Sequence, residues 1–152
     1  MMEWIQSSTL PNSSWTGSMQ LMAGIKACTG RRLANHPHFE DKWLRDRTRR
    51  VYQVYGRKSM HEVNKILQNE NIDYIILEDS ICLAPSTGCS TNDIIDITNG
   101  EKIDSDLSEA DWLAGNEIRF CERVRYQDEE ARKYFILVFV NRTFRVYSVI
   151  NV

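Results

Sequence analysis

The longest apolar run in the chain, YFILVFV at residues 134–140, is seven residues long. A membrane-crossing helix needs about twenty, so no span is expected. Aromatic and β-branched residues dominate the run and suit a pleated strand. A second such stretch, residues 144–150, comes directly after Asn141-Arg142-Thr143. Two apolar runs around a short polar turn predict an antiparallel hairpin at the C-terminus. A third run, DYIILE at residues 73–78, is bounded by turn residues and predicts an interior strand.

Helix signals lie between the strands. Residues 13–17 read as a short strand and tight turn, after which Ser18 is placed to cap a helix through Cys28 that Gly30 closes. Met19, Leu21, Met22, Ala23, Ile25 and Ala27 make this helix apolar on most sides, which predicts extensive burial. Residues 31–35 read as extended. Pro37 suits a first helical turn with Asn35 or His36 as its cap. Helical spacing then runs from His38 to about Tyr55, with Leu44, Thr48, Val51 and Tyr55 on one stripe and Lys42, Arg45 and Arg49 on another. Past Gly56, Ser59 and Glu62 have capping-box spacing ahead of Val63, Ile66 and Leu67. The acidic, glycine-bounded stretch at residues 99–116 reads as an exposed loop. Strands alternating with helices and ending in a hairpin predict an α/β fold. It should form a single domain over residues 1–152, a layered mixed sheet with flanking helices and a C-terminal antiparallel hairpin.

Hydrophobic residues make up 42% and charged residues 26%, with seven Gly and three Pro. That composition excludes collagen-like, low-complexity and disordered chains. Residues 1–16 have no basic head or apolar core of a signal peptide. Taken alone, the residues describe a soluble cytosolic domain. The net charge of −2 hides a dipole, because residues 31–58 hold nine basic side chains against three acidic ones. A solvated helix face explains that excess more simply than an anionic partner. Nucleic-acid binding is not expected, since the chain is acidic overall and no aromatic residues interleave with the basic ones in a recognition pattern.

Several motifs carry possible chemistry. Cys82 and Cys89 flank a turn-rich loop containing Pro85, Thr87 and Gly88. In an oxidising compartment they would bridge, with Cys121 as an alternative partner; in the cytosol all four cysteines would be free thiols, and Cys28 a packed one. No metal site is expected, because there is no CxxC pair and the histidines lie far off in sequence. Asn12-Ser13-Ser14 and Asn141-Arg142-Thr143 are N-glycosylation sequons. The stretch from Gly17 to Gly24 lacks the paired glycines and the Gly-Lys-Ser/Thr ending of a phosphate-binding loop. Asn35-His36-Pro37-His38-Phe39-Glu40-Asp41 is the most unusual segment, with two imidazoles and two carboxylates at a loop-to-helix junction. Such groups suit general acid–base work or, at a helix start, anion binding. A helix start with acidic first-turn residues is the structural alternative.

The segments TGSMQLMAGIKACTGRRLANHPHFED, LRDRTRRVYQVYGRKS, DYIILEDSIC and VFVNRTFRVYSV occur in that order. Together they resemble the lumenal C-terminal part of the protein tryptophan C-mannosyltransferases, dumpy-type multi-pass enzymes of the endoplasmic reticulum with a GT-C architecture. The likeness runs from about Trp4 to Val152. It implies transfer of mannose from dolichyl-phosphate mannose to a Trp of a Trp-x-x-Trp motif, as in thrombospondin-type repeats. Trp15-Thr16-Gly17-Ser18-Met19 sits where oligosaccharyltransferase catalytic subunits place their acceptor-binding Trp-Trp-Asp-Tyr-Gly segment, a likeness of layout only.

The resemblance carries expectations for this chain. The family's membrane helices and its catalytic acid are not in this sequence, so the chain is expected to be inactive alone, to bind no cofactor, and to contribute acceptor-side contacts. A relative that binds peptide or partner without transferring sugar is the alternative. Substrate-contact candidates are His36, His38, Glu40, Asp41, Arg45, Trp15 and Ser18. The carboxylates would face the positive charge that develops on the indole, and His36, His38 or Arg45 the departing phosphate or sugar hydroxyls. A lumenal location favours the Cys82–Cys89 bridge and suits glycosylation at Asn12 and Asn141.

Overall fold

The computed structural model describes residues 1–37, 40–114 and 118–152. Strand β1 (Ser14–Thr16) runs parallel to β2 (Arg32–Leu33) on one side and to β3 (Tyr74–Glu78) on the other. Strands β4 (Phe135–Val140) and β5 (Phe144–Val149) form the expected hairpin, and β5 pairs antiparallel to β3. The order is β2-β1-β3-β5-β4. This is the mixed α/β sheet with flanking helices that the sequence predicts.

Alternation along β3 divides the core. Ile75 and Leu77 face one side with Val51, Val63, Leu67, Phe120, Phe135 and Tyr147. Ile76 faces the other with Ile5, Trp15, Met22, Ile25 and Val146. A strand covered on both faces needs an unbroken apolar run, which is why DYIILE is legible as interior.

Helix α1 (Met2–Ser8) has no counterpart among the elements the sequence predicts. It packs against α2 (Met19–Thr29), whose Ser18 cap and left-handed Gly30 ending match expectation. The burial of α2 does not: only Met22 and Ile25 are fully enclosed, and Cys28 is a free surface thiol rather than a packed one.

Helix α3 (Lys42–Val51) starts later than the Pro37 signal suggests. Asp41 caps it, its Oδ1 accepting from the Trp43 amide at 2.8 Å. Asn35 instead uses its side chain on Thr16 and Gly17, and His36, preceding proline, prefers extended backbone. The helix tightens into a 3₁₀ turn at Tyr52–Tyr55. Helix α4 (Met60–Asn69) opens on the predicted Ser59–Glu62 box.

Beyond β3 come α5 (Asp79–Cys82) and α6 (Thr91–Asn99), the latter with a capping box that uses Asp93 in place of Glu. Within the acidic stretch, a 3₁₀ turn at Asp104–Asp106 and α7 (Glu109–Leu113) form where the composition predicts a plain loop. Helices α8 (Phe120–Arg123) and α9 (Glu129–Tyr134) lead into the hairpin.

Cys82 bridges Cys121, not Cys89, with a Cα–Cα separation of 5.8 Å. Both bridged residues are buried in the core, α5 facing α8. Cys89 is exposed and free, since the turn after α5 carries it to the start of α6, where Ser90 caps the helix. Among the described residues, no helix is long and apolar enough to cross a membrane.

Candidate functional site

The three parallel strands β1, β2 and β3 end on the same edge of the sheet. The chain leaves β1 for β2 on one side and returns to β3 on the other. Open α/β sheets hold ligands at this kind of reversal, outside the carboxyl ends of the strands. Gly17-Ser18, the segment beginning Ala34-Asn35-His36, and Glu78-Asp79 all converge there.

Gly17 makes the first turn possible. A Cβ at this position would lie 2.9 Å from both the Ile76 carbonyl oxygen and the Met22 methyl. Ser18 Oγ accepts from the Leu21 amide at 3.3 Å and donates to Glu78 Oε1. The positive end of α2 thus lies beside a carboxylate, a favourable arrangement for the helix dipole. The Met19 amide donates to the Tyr52 hydroxyl at 2.9 Å. Burial raises the Tyr52 pKa, the Met19 bond opposes this, and the Glu78 charge adds to the rise. Tyr55 is fully buried; burial and then the Glu78 charge push its phenol up strongly. Its hydroxyl points toward the Glu78 backbone without completing a hydrogen bond of ordinary geometry.

Asn35, fully buried, sutures the second loop to the first. It accepts from Thr16 Oγ1 at 2.8 Å and donates to the Gly17 carbonyl at 2.8 Å. The entry to His36-Pro37 is therefore locked to the β1–α2 turn. On the far side of β3, Asp79 accepts from Arg125 and lies 3.5 Å from Arg145 Nη2.

The predicted candidates separate on this frame. Ser18 stands at the site. His36, half-buried, comes directly after the Asn35 suture. Glu40 is exposed, its carbonyl accepting from Arg45 Nη1 at 3.1 Å, and the Asp41 carboxylate is engaged as the α3 cap. His38 lies outside the described residues. Trp15 points into the core, stacked on Tyr74 at 4.4 Å with its indole N–H donating to Ser13 Oγ, so it has no face to offer a substrate.

The sequence gives no individual role to Tyr52, Tyr55, Glu78 or Asp79, and to Asn35 only that of a possible helix cap. The available signal is positional, because Glu78-Asp79 ends the one strand legible as interior.

The two sequons lie elsewhere. Asn141 Oδ1 accepts from the Thr143 and Phe144 amides at 2.9 and 2.8 Å, so this side chain holds the hairpin turn. Asn12 lines a cavity of about 580 Å³ at the opposite, amino edge of the strands, with Arg32, Arg47, Glu70 and Asp73. Its Arg47 and Glu70 walls already pair at 3.0 Å, and it meets none of the carboxyl-edge groups. Topology and the converging polar groups select the carboxyl edge over this cavity. Among the described residues no cluster of three or more His, Cys, Asp or Glu is arranged to hold a metal.

Comparison with known proteins shows the family and the fold. The family model described as "Dpy19: Q-cell neuroblast polarisation" matches residues 1–149. The human probable C-mannosyltransferase DPY19L4 is 34% identical over 152 residues, covering 98% of this chain and 21% of that protein. Human protein C-mannosyl-transferase DPY19L1 is 33% identical, covering 99% of this chain and 20% of that protein. The Caenorhabditis elegans C-mannosyltransferase dpy-19 is 35% identical over 78 residues, covering 51% of this chain and 11% of that protein. The chain thus spans about a fifth of the length of its human relatives. In fold it is similar to the C-terminal globular domain of an oligosaccharyltransferase from Archaeoglobus fulgidus, with a TM-score of 0.68 at 12% identity, covering 97% of this chain and 93% of that one. From the family-model match and the near-complete coverage by the human relatives, the chain belongs to the Dpy19 family of C-mannosyltransferases.

Proposed function

We propose that this chain is the acceptor-side domain of a C-mannosyltransferase that moves mannose from dolichyl-phosphate mannose to a Trp of a Trp-x-x-Trp motif, as in thrombospondin-type repeats. It stands at the lumenal side of the endoplasmic reticulum membrane, and the catalytic acid and donor-binding helices belong to other parts of such an enzyme. The isolated chain binds acceptor and transfers nothing. One observation carries the reading: in a chain of this family the β1, β2 and β3 carboxyl ends share one edge of the sheet, where Ser18 bonds Glu78 and the Asn35 suture to Gly17 leads into His36.

Attack by an indole carbon on an anomeric centre develops positive charge on the ring. Carboxylates already held in place stabilise that charge without reorganising as it forms. Glu78, positioned by Ser18, joins Glu40 as a candidate for that role, whereas Asp41 is committed to its helix cap. His36 faces the sugar hydroxyls or the phosphate.

The test is titration of this chain with a Trp-x-x-Trp peptide, monitored by the NMR signals of the Gly17 and Asn35 amides. Saturable shifts that weaken in Ser18→Ala, with no mannosylated product by mass when dolichyl-phosphate mannose is added, are expected. No saturable shift sinks the acceptor role, and product formation sinks the inactivity of the isolated chain.

A further inference from the structure

Buried polar side chains nearly always find a partner, so two unpartnered ones on one strand face beside charged groups call for an explanation. Five unpartnered buried atoms occur among the described residues, and two of them, Tyr147 Oη and Arg145 Nη1, belong to β5 residues that pair with Ile75 and Leu77 along β3. Tyr147 and Arg145 are two apart on β5, so they project from the same face. Arg125 reaches the same place from the turn after α8, and both arginines converge on Asp79. The charges of Arg145, Arg125 and Asp79 all act on the Tyr147 hydroxyl, although burial has the largest influence and pushes it up to about 12.

Two guanidiniums share one carboxylate, which leaves an excess positive charge. What remains unsatisfied is consistent in kind. Arg145 Nη1 can only donate, and the Tyr147 hydroxyl has a proton to give. The missing group is therefore an acceptor that carries negative charge. Arg145 and Arg125 are 21% and 23% exposed, so an anion arriving from solvent meets the guanidiniums first. A tetrahedral oxyanion matches the guanidinium fork in a way that a single water does not.

We propose that Arg125, Arg145 and Tyr147 form an oxyanion site at the carboxyl end of β3, taking a phosphate group either free in solution or on a lipid headgroup. The site stands on these side chains alone and does not depend on the acceptor role above; peptide and phosphate titrations fail independently.

The test is titration of the whole chain with inorganic phosphate, monitored by the Arg125, Arg145 and Tyr147 resonances. Saturable shifts are expected, weakened at least tenfold by Arg145→Gln and several-fold by Tyr147→Phe. Arg47→Gln, at the opposite edge, should leave them unchanged. Should Arg145→Gln fail to fold, Arg145→Lys keeps the charge but loses the fork, and it must still weaken binding several-fold. In a second arm the chain is sedimented with phosphatidylcholine vesicles with and without dolichyl phosphate. Capture that requires dolichyl phosphate and is reversed by inorganic phosphate assigns the lipid source; phosphate binding without capture assigns the soluble one. No saturation in either arm, or undiminished binding in the Arg145 and Tyr147 variants, overturns the proposal.

Discussion

Arg119 holds Asp96 by both oxygens, Nη1 to Oδ1 at 2.9 Å and Nη2 to Oδ2 at 2.7 Å. Arg57 adds a third contact to Oδ2 at 3.1 Å, and Asp104 pairs with both arginines. Asp96 is fully buried, so its charge is compensated only inside this network. The four residues tie α6, the turn before α4, the 3₁₀ turn at Asp104–Asp106 and the start of α8 into one unit. Removing the carboxylate leaves two enclosed guanidiniums short of a partner. Asp96→Asn should therefore cost about 3–5 kcal/mol, read as a fall in the urea midpoint with an unchanged slope. A loss below about 1 kcal/mol would mean that water reaches the cluster.

The Cys82–Cys121 bridge closes a loop with a sequence separation of 39. On the chain-entropy account a loop of that size contributes about 4 kcal/mol. Cys82→Ser and Cys121→Ser should each lose a similar amount, whereas Cys89→Ser should change stability by less than about 0.5 kcal/mol. Without reductant, alkylation should label Cys28 and Cys89 only. A disulfide-linked peptide containing Cys89 would contradict this pairing.

The contrast between these two cysteine partners shows what a sequence can specify. The Ser18 cap, the Gly30 ending and the Ser59–Glu62 box each depend on residues a few positions apart, so they are readable. Choosing Cys121 over Cys89 depends on where α8 lies relative to α5, which no local pattern encodes. The basic stretch is a similar case. Arg31, Arg47, Arg50 and Arg57 belong to one basic stretch in sequence, yet Arg31 bonds the Ile5 carbonyl, Arg47 and Arg50 share Glu70, and Arg57 pairs with Asp96. At the candidate site, Ser18 is legible as a cap and Asn35 is not. A suture between two loops becomes apparent only once β1 and β2 lie side by side.

Arg31 gives a test of that last kind. It is buried, and its Nη2 donates to the Ile5 and Thr9 carbonyls at 2.9 Å each, with Gln6 at 3.4 Å. These are carbonyls at the end of α1 that the helix cannot satisfy for itself. Arg31→Met keeps much of the apolar stem but removes the donors, and should cost about 2 kcal/mol. Amide exchange should quicken in α1 and in residues 9–12 before the sheet responds. Uniform acceleration across the fold would argue against a local cap.

Tyr55 should behave in the opposite way. Its ring is enclosed and its hydroxyl lacks a hydrogen bond, so the oxygen is desolvated without compensation. Tyr55→Phe is expected to be neutral or to stabilise by up to about 1 kcal/mol, measured by thermal and urea unfolding. A clear loss would show that the hydroxyl bonds to the Glu78 backbone in solution.

Asp93 sets a pH dependence. Burial pushes its carboxyl up, but hydrogen bonds from Ser86, Ser90 and Thr87 outweigh this and hold it well below the usual carboxylate range. A lowered folded-state pKa means the unfolded chain binds the proton more readily. The stabilisation is therefore fully present above the ordinary Asp value of about 3.9, and is lost as pH falls below it toward the lowered value. Asp93→Asn cannot lose a proton and so carries none of this dependence. At about pH 7 the variant should be less stable by about 2 kcal/mol, the scale of hydrogen bonds to a charged acceptor. That gap should narrow as the solution is acidified through about pH 3, traced by urea midpoints of the two proteins side by side. A gap that stays constant across this range would show that the Ser86, Ser90 and Thr87 donors do not discriminate between the charged and neutral carboxyl.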